Sequence, residues 1–123
     1  MASRIAQLTL DVLDVARQAA FWSEVLGLRA DHGQDGACKL YPPDHPSPPA
    51  PLIWLQPVTS AKLQKLRLHL DLRPESGDVG KEVDRLLSIG ATRTDVGQHP
   101  DDPFVVLADP EGNEFCVLRT DPR

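Results

Sequence analysis

The sequence is poor in the features that assign many proteins to a class at once. It has two cysteines, Cys38 and Cys116, which are far apart and form no Cys-x-x-Cys pair. This usage favours a reduced, cytoplasmic setting. No apolar run approaches the length of a membrane span, and the first residues, MASRIAQLTL, lack the apolar segment and cleavage site of a signal peptide. Because aromatic residues make up only 5% of the chain, we expect a core built mainly from Leu, Val, Ile and Ala.

Basic clusters and familiar catalytic loops are also missing. The chain has 13 Lys and Arg against 18 Asp and Glu, for a formal net charge of -5. No group of basic residues offers the contacts that nucleic-acid phosphates need. There is no GxSxG elbow and no glycine-rich phosphate loop of either common type. With 123 residues, the chain has room for one ordinary domain, and we expect neither a nucleic-acid nor a membrane partner.

The first half of the sequence reads as a strand, a helix and further strands. Apolar and polar residues alternate over residues 5–12, which predicts a strand. Asp14 can cap the helix that follows, and Gly27 stands where that helix pattern ends. Short strands are predicted at 37–41 and 52–58. The proline-rich segment 42–51 between them predicts a loop, which contains His45.

The second half repeats this order. In residues 66–74, LRLHLDLRP, the leucines fall on one side of an extended chain, while Arg67, His69 and Asp71 fall on the other. Apolar residues at helical spacing follow, and Gly90 ends that pattern. Residues 103–119 predict a strand, a tight turn at DPEGN and a last strand.

The two halves can be aligned by this pattern. Gln7 then falls on His69, Gly27 on Gly90, and Leu52 on Glu114. Two βα units with additional antiparallel strands predict an α+β fold in which one helix per half packs on a sheet.

Three aligned polar residues could form a metal site. If equivalent strands of the two halves face each other, Gln7, His69 and Glu114 supply an amide oxygen, an imidazole nitrogen and a carboxylate. This mixed set suits a divalent ion such as zinc, nickel, manganese or iron(II). Other roles are open: His69 can be solvated or structural, Glu114 can be exposed or can support the DPEGN turn, and Arg67 can pair with Asp71 at the surface.

The two tryptophans suggest different roles. Trp22 lies on the apolar face of the predicted helix, where core packing is expected. Trp54 lies two residues after Leu52, on the face that corresponds to Glu114 and Cys116. There it could form the wall of a cavity for an aromatic or apolar ligand, or it could pack in the core or in a subunit interface.

Three segments resemble the vicinal oxygen chelate superfamily, which comprises glyoxalases, bleomycin-resistance proteins and extradiol dioxygenases. They are AFWSEVLGL, KLRLHLDLRP and VVLADPEGNEFCVL, and they resemble the glyoxalase-like domain branch in particular. The resemblance implies a single domain over residues 1–123, made of two βαβββ modules at about 1–58 and 64–121. It also implies curled, mixed or antiparallel sheets around a cavity, and a homodimer.

The resemblance also implies a ligand set. Metal ligands in the superfamily would fall on Gln7, Leu52, His69 and Glu114, and the site is incomplete because Leu52 has no donor atom. His69 and Glu114 are the implied catalytic residues. The candidate ligand-binding residues are Leu52, Trp54, Arg67, Asp71 and Cys116.

Two functions follow from this resemblance. The first is a metal-assisted lyase, isomerase or dioxygenase that acts on a small oxygen-chelating substrate by Lewis-acid chemistry. The alternative is a metal-free protein of the bleomycin-resistance type, which sequesters a small aromatic or amphiphilic compound. Leu52 in a ligand position, Trp54 beside it and the proline-rich loop favour the alternative. A third interpretation is an interaction module whose polar cavity no longer has a function.

Overall fold

A computed structural model describes residues 1–43 and 51–119. The chain separates into two compact units, Met1–Ala61 and Lys62–Arg123. Most of the predicted proline-rich loop, including His45, lies outside the described residues.

The first unit contains a helix and a mixed sheet in the described part of the chain. Its elements in order are β1 (Gln7–Val12), α1 (Val15–Leu26), β2 (Arg29–His32), β3 (Cys38–Tyr41) and β4 (Leu52–Pro57). The sheet order is β1-β4-β3-β2. Strands β1 and β4 are parallel, and the other pairs are antiparallel.

Helix α1 begins and ends as its sequence predicts. The side chain of Asp14 accepts a hydrogen bond from the backbone N–H of Arg17 at 3.0 Å, and Gly27 ends the helix in a left-handed conformation with φ of 66°. The helix buries Phe21 and Trp22, whose rings meet edge to face with centroids 5.2 Å apart. The expected core role of Trp22 is therefore confirmed.

The second unit repeats the order and the pairing of the first. Its described elements are β5 (Asp71–Leu72), α2 (Val79–Ser88), β6 (Thr92–Arg93), β7 (Phe104–Ala108) and β8 (Glu114–Leu118). The sheet order is β5-β8-β7-β6. Strand β5 is parallel to β8, as β1 is to β4.

Packing of α2 decides which way β8 faces. Asp78 caps the helix by accepting the backbone N–H of Lys81 at 3.1 Å. The helix buries Val83 and Leu86 and contacts β8, and Phe115 and Val117 of β8 are buried. Successive strand residues point to opposite faces, so Glu114, Cys116 and Leu118 share the face opposite Phe115 and Val117.

A side-chain network stabilises the turn between β7 and β8. One carboxylate oxygen of Asp109 accepts the backbone N–H groups of Glu111 and Asn113 at 2.9 and 3.0 Å, and the amide of Asn113 also donates to Asp109. Gly112 adopts φ of 87°, which favours glycine. The predicted hairpin at DPEGN is confirmed, and Asp109 supports the turn.

The predicted strand at 66–74 is mostly wrong, because only Asp71–Leu72 pairs with β8. Continuing that register upstream would place His69 beside Glu114, the first residue of β8, and the DPEGN turn precedes Glu114. The N–H of Leu66 instead donates to the Glu114 side chain at 3.2 Å. The segment therefore lacks a neighbouring strand with which to continue the ladder.

Strands β2 and β6 were not predicted. All four residues of β2 are exposed, and β6 has only two residues, both exposed. Neither carries the apolar alternation that predicts a half-buried strand.

The described residues confirm the predicted α+β fold of two βαβββ modules, each with one helix and an open four-stranded sheet. The single domain over residues 1–123 and the enclosure of a cavity by both sheets stay predictions. Neither helix in residues 1–43 and 51–119 is long and apolar enough to cross a membrane.

Candidate functional site

The polar face of β8 and the neighbouring strand β5 form the centre of a candidate site in the second unit. Asp71 and Cys116 are register partners in the parallel pair. The backbone N–H of Cys116 donates to the carbonyl of Leu70 at 2.9 Å. This pairing fixes the backbone beneath Asp71 and sets His69, two residues upstream, on the same side.

A cavity of about 380 Å³ opens over this face. Its size lies within the range of small-molecule sites. It combines apolar side chains from β7, β8 and a nearby loop with polar groups from β5 and from the segment that precedes β5. The lining residues are Lys65, His69, Asp71, Val96, Gly97, Gln98, Asp102, Phe104, Val106, Glu114, Cys116 and Leu118.

Both carboxylate oxygens of Glu114 have partners. The ammonium of Lys62 lies 3.0 Å from Oε1 and 3.2 Å from Oε2, and the N–H of Leu66 donates to Oε1 at 3.2 Å. Burial raises the pKa of Glu114, but hydrogen bonds from its own backbone, Lys62 and Leu66 outweigh burial and bring the pKa below its ordinary value. Glu114 is therefore an anion held in an ion pair.

His69, Asp71 and Cys116 form a second polar group in the cavity. Each offers one potential ligand atom, and these atoms all lie within 4.8 Å of one another. Nδ1 of His69 is 3.6 Å from Oδ1 of Asp71. Cys116 is buried, whereas His69 and Asp71 are exposed. Burial, the charge of Asp71 and a hydrogen bond to its side chain raise the pKa of the Cys116 thiol to about 11.

Three predicted site residues lie in the first unit. Gln7 and Leu52 are register partners in β1 and β4, and the Gln7 amide donates to the hydroxyl of Thr9 at 3.4 Å. Trp54 is half-buried, and its indole N–H donates to the Gln56 side chain at 3.0 Å. That Gln7 shares a metal with His69 and Glu114, and that Leu52 and Trp54 line a ligand site, stay predictions.

The remaining predicted residues lie in the second unit. His69, Asp71, Glu114 and Cys116 line one cavity, while Arg67 is exposed at a bend before β5. Their roles in catalysis or ligand binding stay predictions.

Sequence reasoning missed four polar residues of the site. Lys62 pairs with Glu114, and Lys65, Gln98 and Asp102 line the cavity. The two lysines stand in the TSAKLQK connector, just before a strand with a predicted metal ligand. Lys62 lies 52 positions from Glu114 in the sequence, so only the fold shows that it reaches this carboxylate.

The metal set that the resemblance implies fits these residues poorly. Leu52 has no donor atom, and the Glu114 carboxylate is neutralised by Lys62 and hydrogen-bonded by Leu66. A dication bound by Glu114 would have to displace the ammonium of Lys62, whose positive charge repels it. Gln7, His69 and Glu114 are therefore a poor set of ligands for a divalent cation.

The repeated βαβββ order and the DPEGN hairpin define a protein of the vicinal oxygen chelate superfamily. More narrowly, the chain belongs to the glyoxalase-like domain family, which it matches over residues 7–118. The family predicted from the sequence is confirmed. No protein with a curated description matches the chain significantly.

Solved structures share this fold at low sequence identity. A glutamate-to-glutamine variant of the fosfomycin resistance protein FosX from Listeria monocytogenes is complexed with Mn(II) and 1S,2S-dihydroxypropylphosphonic acid. It is 13% identical, with a TM-score of 0.74 over 98% of this chain and 93% of its own. FosX from Mesorhizobium loti is 13% identical, with a TM-score of 0.70 over 98% of this chain and 94% of its own.

A third similar structure is a glyoxalase/bleomycin resistance protein/dioxygenase family enzyme from Burkholderia phytofirmans PsJN. It is 16% identical, with a TM-score of 0.66 over 94% of this chain and 97% of its own. At these identities, the likeness concerns the fold.

Proposed function

We propose that the protein binds a small organic molecule in the cavity of its second unit. The observation that carries this proposal is the mixed lining of that cavity of about 380 Å³. Phe104, Val106 and Leu118 supply an apolar wall, while His69 and Gln98 supply hydrogen-bonding groups. Ligand sites commonly combine an apolar wall for affinity with a few polar groups for orientation.

The charges favour a ligand that has an apolar body and an oxygen-bearing head. Lys62 compensates the charge of Glu114, so that carboxylate repels an oxygen-rich group less than a free anion would. Lys65 adds a positive charge to the lining, and Asp71 and Asp102 add negative charges. We therefore expect a small aromatic or amphiphilic compound whose oxygen-bearing end lies beside Lys65.

Membership of the glyoxalase-like domain family supports this proposal. So does the fold shared with FosX from Listeria monocytogenes, which is complexed with Mn(II) and a small phosphonic acid. The metal-assisted lyase, isomerase or dioxygenase reaction of His69 and Glu114 stays a prediction, and the pairing of Glu114 with Lys62 weighs against it. The cytoplasmic setting and the homodimer also stay predictions.

A fluorescent probe tests the proposed binding. The probe is 8-anilinonaphthalene-1-sulfonate, an aromatic anion whose emission rises in apolar sites. We expect it to bind the native, metal-free protein. We expect Phe104→Ala to weaken binding by about tenfold, because a lost aromatic contact removes about 1–2 kcal/mol of binding free energy. The control is Leu63→Ala, since Leu63 is 95% exposed and does not line the cavity.

Equal probe affinities in Phe104→Ala and Leu63→Ala, with both variants folded by circular dichroism, would rule out this cavity as the binding site. Competition by aromatic carboxylates and phosphonates then ranks ligand classes. Failure of all of them to displace the probe would contradict the expected oxygen-bearing head.

A further inference from the structure

We infer that His69, Asp71 and Cys116 form a binding site for a zinc-class divalent cation at the wall of the cavity. This set differs from Gln7, His69 and Glu114, which the superfamily resemblance implies. The inference goes beyond the proposed ligand binding and does not depend on it, because the ion can bind whether or not an organic ligand is present.

The spacing of the three side chains suits such an ion. Their potential ligand atoms lie within 4.8 Å of one another, and the His69 nitrogen and Asp71 oxygen are 3.6 Å apart. Tetrahedral zinc with bonds of roughly 2.0–2.3 Å places its ligands about 3.3–3.8 Å apart. Small side-chain rotations are therefore enough to close the three atoms around one ion.

The backbone already holds this arrangement. Asp71 and Cys116 are register partners on adjacent strands, and the N–H of Cys116 donates to the Leu70 carbonyl at 2.9 Å. Cys116 is buried at the base, while His69 and Asp71 are exposed. An ion can thus enter from the cavity, bind first to the exposed His69 and Asp71, and reach the buried thiol of Cys116.

The ligand chemistry selects the metal. Thiolate and imidazole favour zinc or cobalt over the harder manganese and magnesium ions, and the carboxylate adds a compensating charge. On binding, a metal–sulfur bond replaces the S–H bond of Cys116, and the proton passes to solvent. Three protein ligands leave a fourth position that faces the cavity, where water or a ligand oxygen can bind.

This site also avoids the difficulty found at Glu114. Ligation by Glu114 requires the loss of its pair with Lys62. Ligation by this set replaces the exposed contact of His69 with Asp71 at 3.6 Å, which contributes little to stability, and the hydrogen bond of the Cys116 thiol to Asp71. Unlike Glu114, neither His69 nor Asp71 has to give up a pair with Lys62.

Cobalt(II) provides a direct spectroscopic test. The metal-free, reduced protein is titrated anaerobically with cobalt(II), and the near-ultraviolet sulfur-to-cobalt charge-transfer band is recorded. We expect the band in the native protein and in Cys38→Ser, since Cys38 is a buried cysteine of the first unit. We expect Cys116→Ser to abolish it. His69→Ala and Asp71→Asn should each weaken cobalt binding by at least about tenfold, the scale on which even outer ligand partners act.

Absence of the band from the native protein would overturn the inference, as would its persistence in Cys116→Ser. So would loss of cobalt affinity in Glu114→Gln with unchanged affinity in Asp71→Asn. If Cys116→Ser fails to fold, Asp71→Asn decides the question, because Asp71 is exposed. Phe104→Ala should retain the band, so failure of the probe experiment and failure of the metal site are distinguishable.

Discussion

At the scale of single residues, Lys62 determines what Glu114 can do. A carboxylate on the polar face of β8 is the natural candidate for a metal ligand or a general base. Its contacts with the Lys62 ammonium and the Leu66 N–H also give it a structural role. It ties the segment before β5 to the first residue of β8.

Removal of Lys62 tests this role. We expect Lys62→Met to lower the free energy of unfolding by about 1–3 kcal/mol, because the buried carboxylate loses a charge-assisted hydrogen bond. Lys62→Arg, which keeps the charge, should lose less. Urea unfolding at pH 7 measures both, and equal stability of Lys62→Met and the native protein would show that the pair contributes nothing.

A second residue-scale prediction concerns Cys38 and alkaline pH. Burial raises the pKa of the Cys38 thiol above its ordinary value of 9.0, a backbone hydrogen bond at Asp31 partly lowers it, and the Asp31 charge raises it again. Above pH 9 the unfolded thiol ionises while the folded one keeps its proton. The native state then binds more protons, so stability falls as pH rises toward the folded pKa.

The measurement is urea unfolding of reduced, metal-free protein at pH 7 and at pH values above 9. We expect the alkaline loss of stability to be smaller in Cys38→Ala than in the native protein. An identical loss in both proteins would remove Cys38 as its source.

At the scale of elements, local signals decided which predictions succeeded. The helices carry capping aspartates and apolar spacing, and the β7–β8 hairpin carries its turn chemistry in DPEGN, so each could be predicted from a short stretch. Strands β2 and β6 are exposed and lack such a signal. The alternation in residues 66–74 describes an extended chain, but it does not reveal whether a partner strand lies beside it.

The same limit applies to the candidate site. Glu114 and Cys116 were predicted to share a face because they lie two residues apart in one strand, and side chains alternate along a strand. The Lys62–Glu114 pair joins residues 52 positions apart, and no local pattern encodes it. The grouping of Cys116 with Asp71 follows from the parallel register, which only the assembled sheet fixes.

Two glycines provide a prediction at the element scale. A Cβ on Gly112 would meet nothing within 4 Å, but φ there is +87°, so Gly112→Ala should lower the free energy of unfolding by about 1–2 kcal/mol. In α2, Gly80 has only an ordinary contact at 3.6 Å. Gly80→Ala should therefore raise stability, by about 0.5–1 kcal/mol. Thermal unfolding measures the melting temperature of both variants. If both melting temperatures shifted in the same direction, this account of the turn would be contradicted.

At the scale of the whole molecule, the two units share strand order but differ in chemistry. Gln7 aligns with His69, and the registers of the parallel pairs then match Thr9 and Trp54 with Asp71 and Cys116. The first unit thus has an indole where the second has a thiol. The second unit carries the ligands His69, Asp71 and Cys116, and the matching positions of the first unit do not repeat them. We therefore expect each chain to bind one zinc-class ion.

Stoichiometry checks this asymmetry. We expect calorimetric titration of the metal-free protein with zinc to give one site per chain, and we expect the same result for Trp54→Phe. Two equivalent sites per chain would show that the first unit binds metal as well, contrary to the chemistry of Thr9 and Trp54.

The brevity of β5 has a consequence for how the site opens. Its ladder to β8 spans only Asp71–Leu72 at the sheet edge, so few hydrogen bonds need to break for it to detach. Such fraying would carry the imidazole and the carboxylate away from the cysteine while β6, β7 and β8 stay joined. A bound cation would hold β5 against β8. Amide hydrogen exchange over residues 69–72 should then be slower in the metal-bound protein than in the metal-free protein.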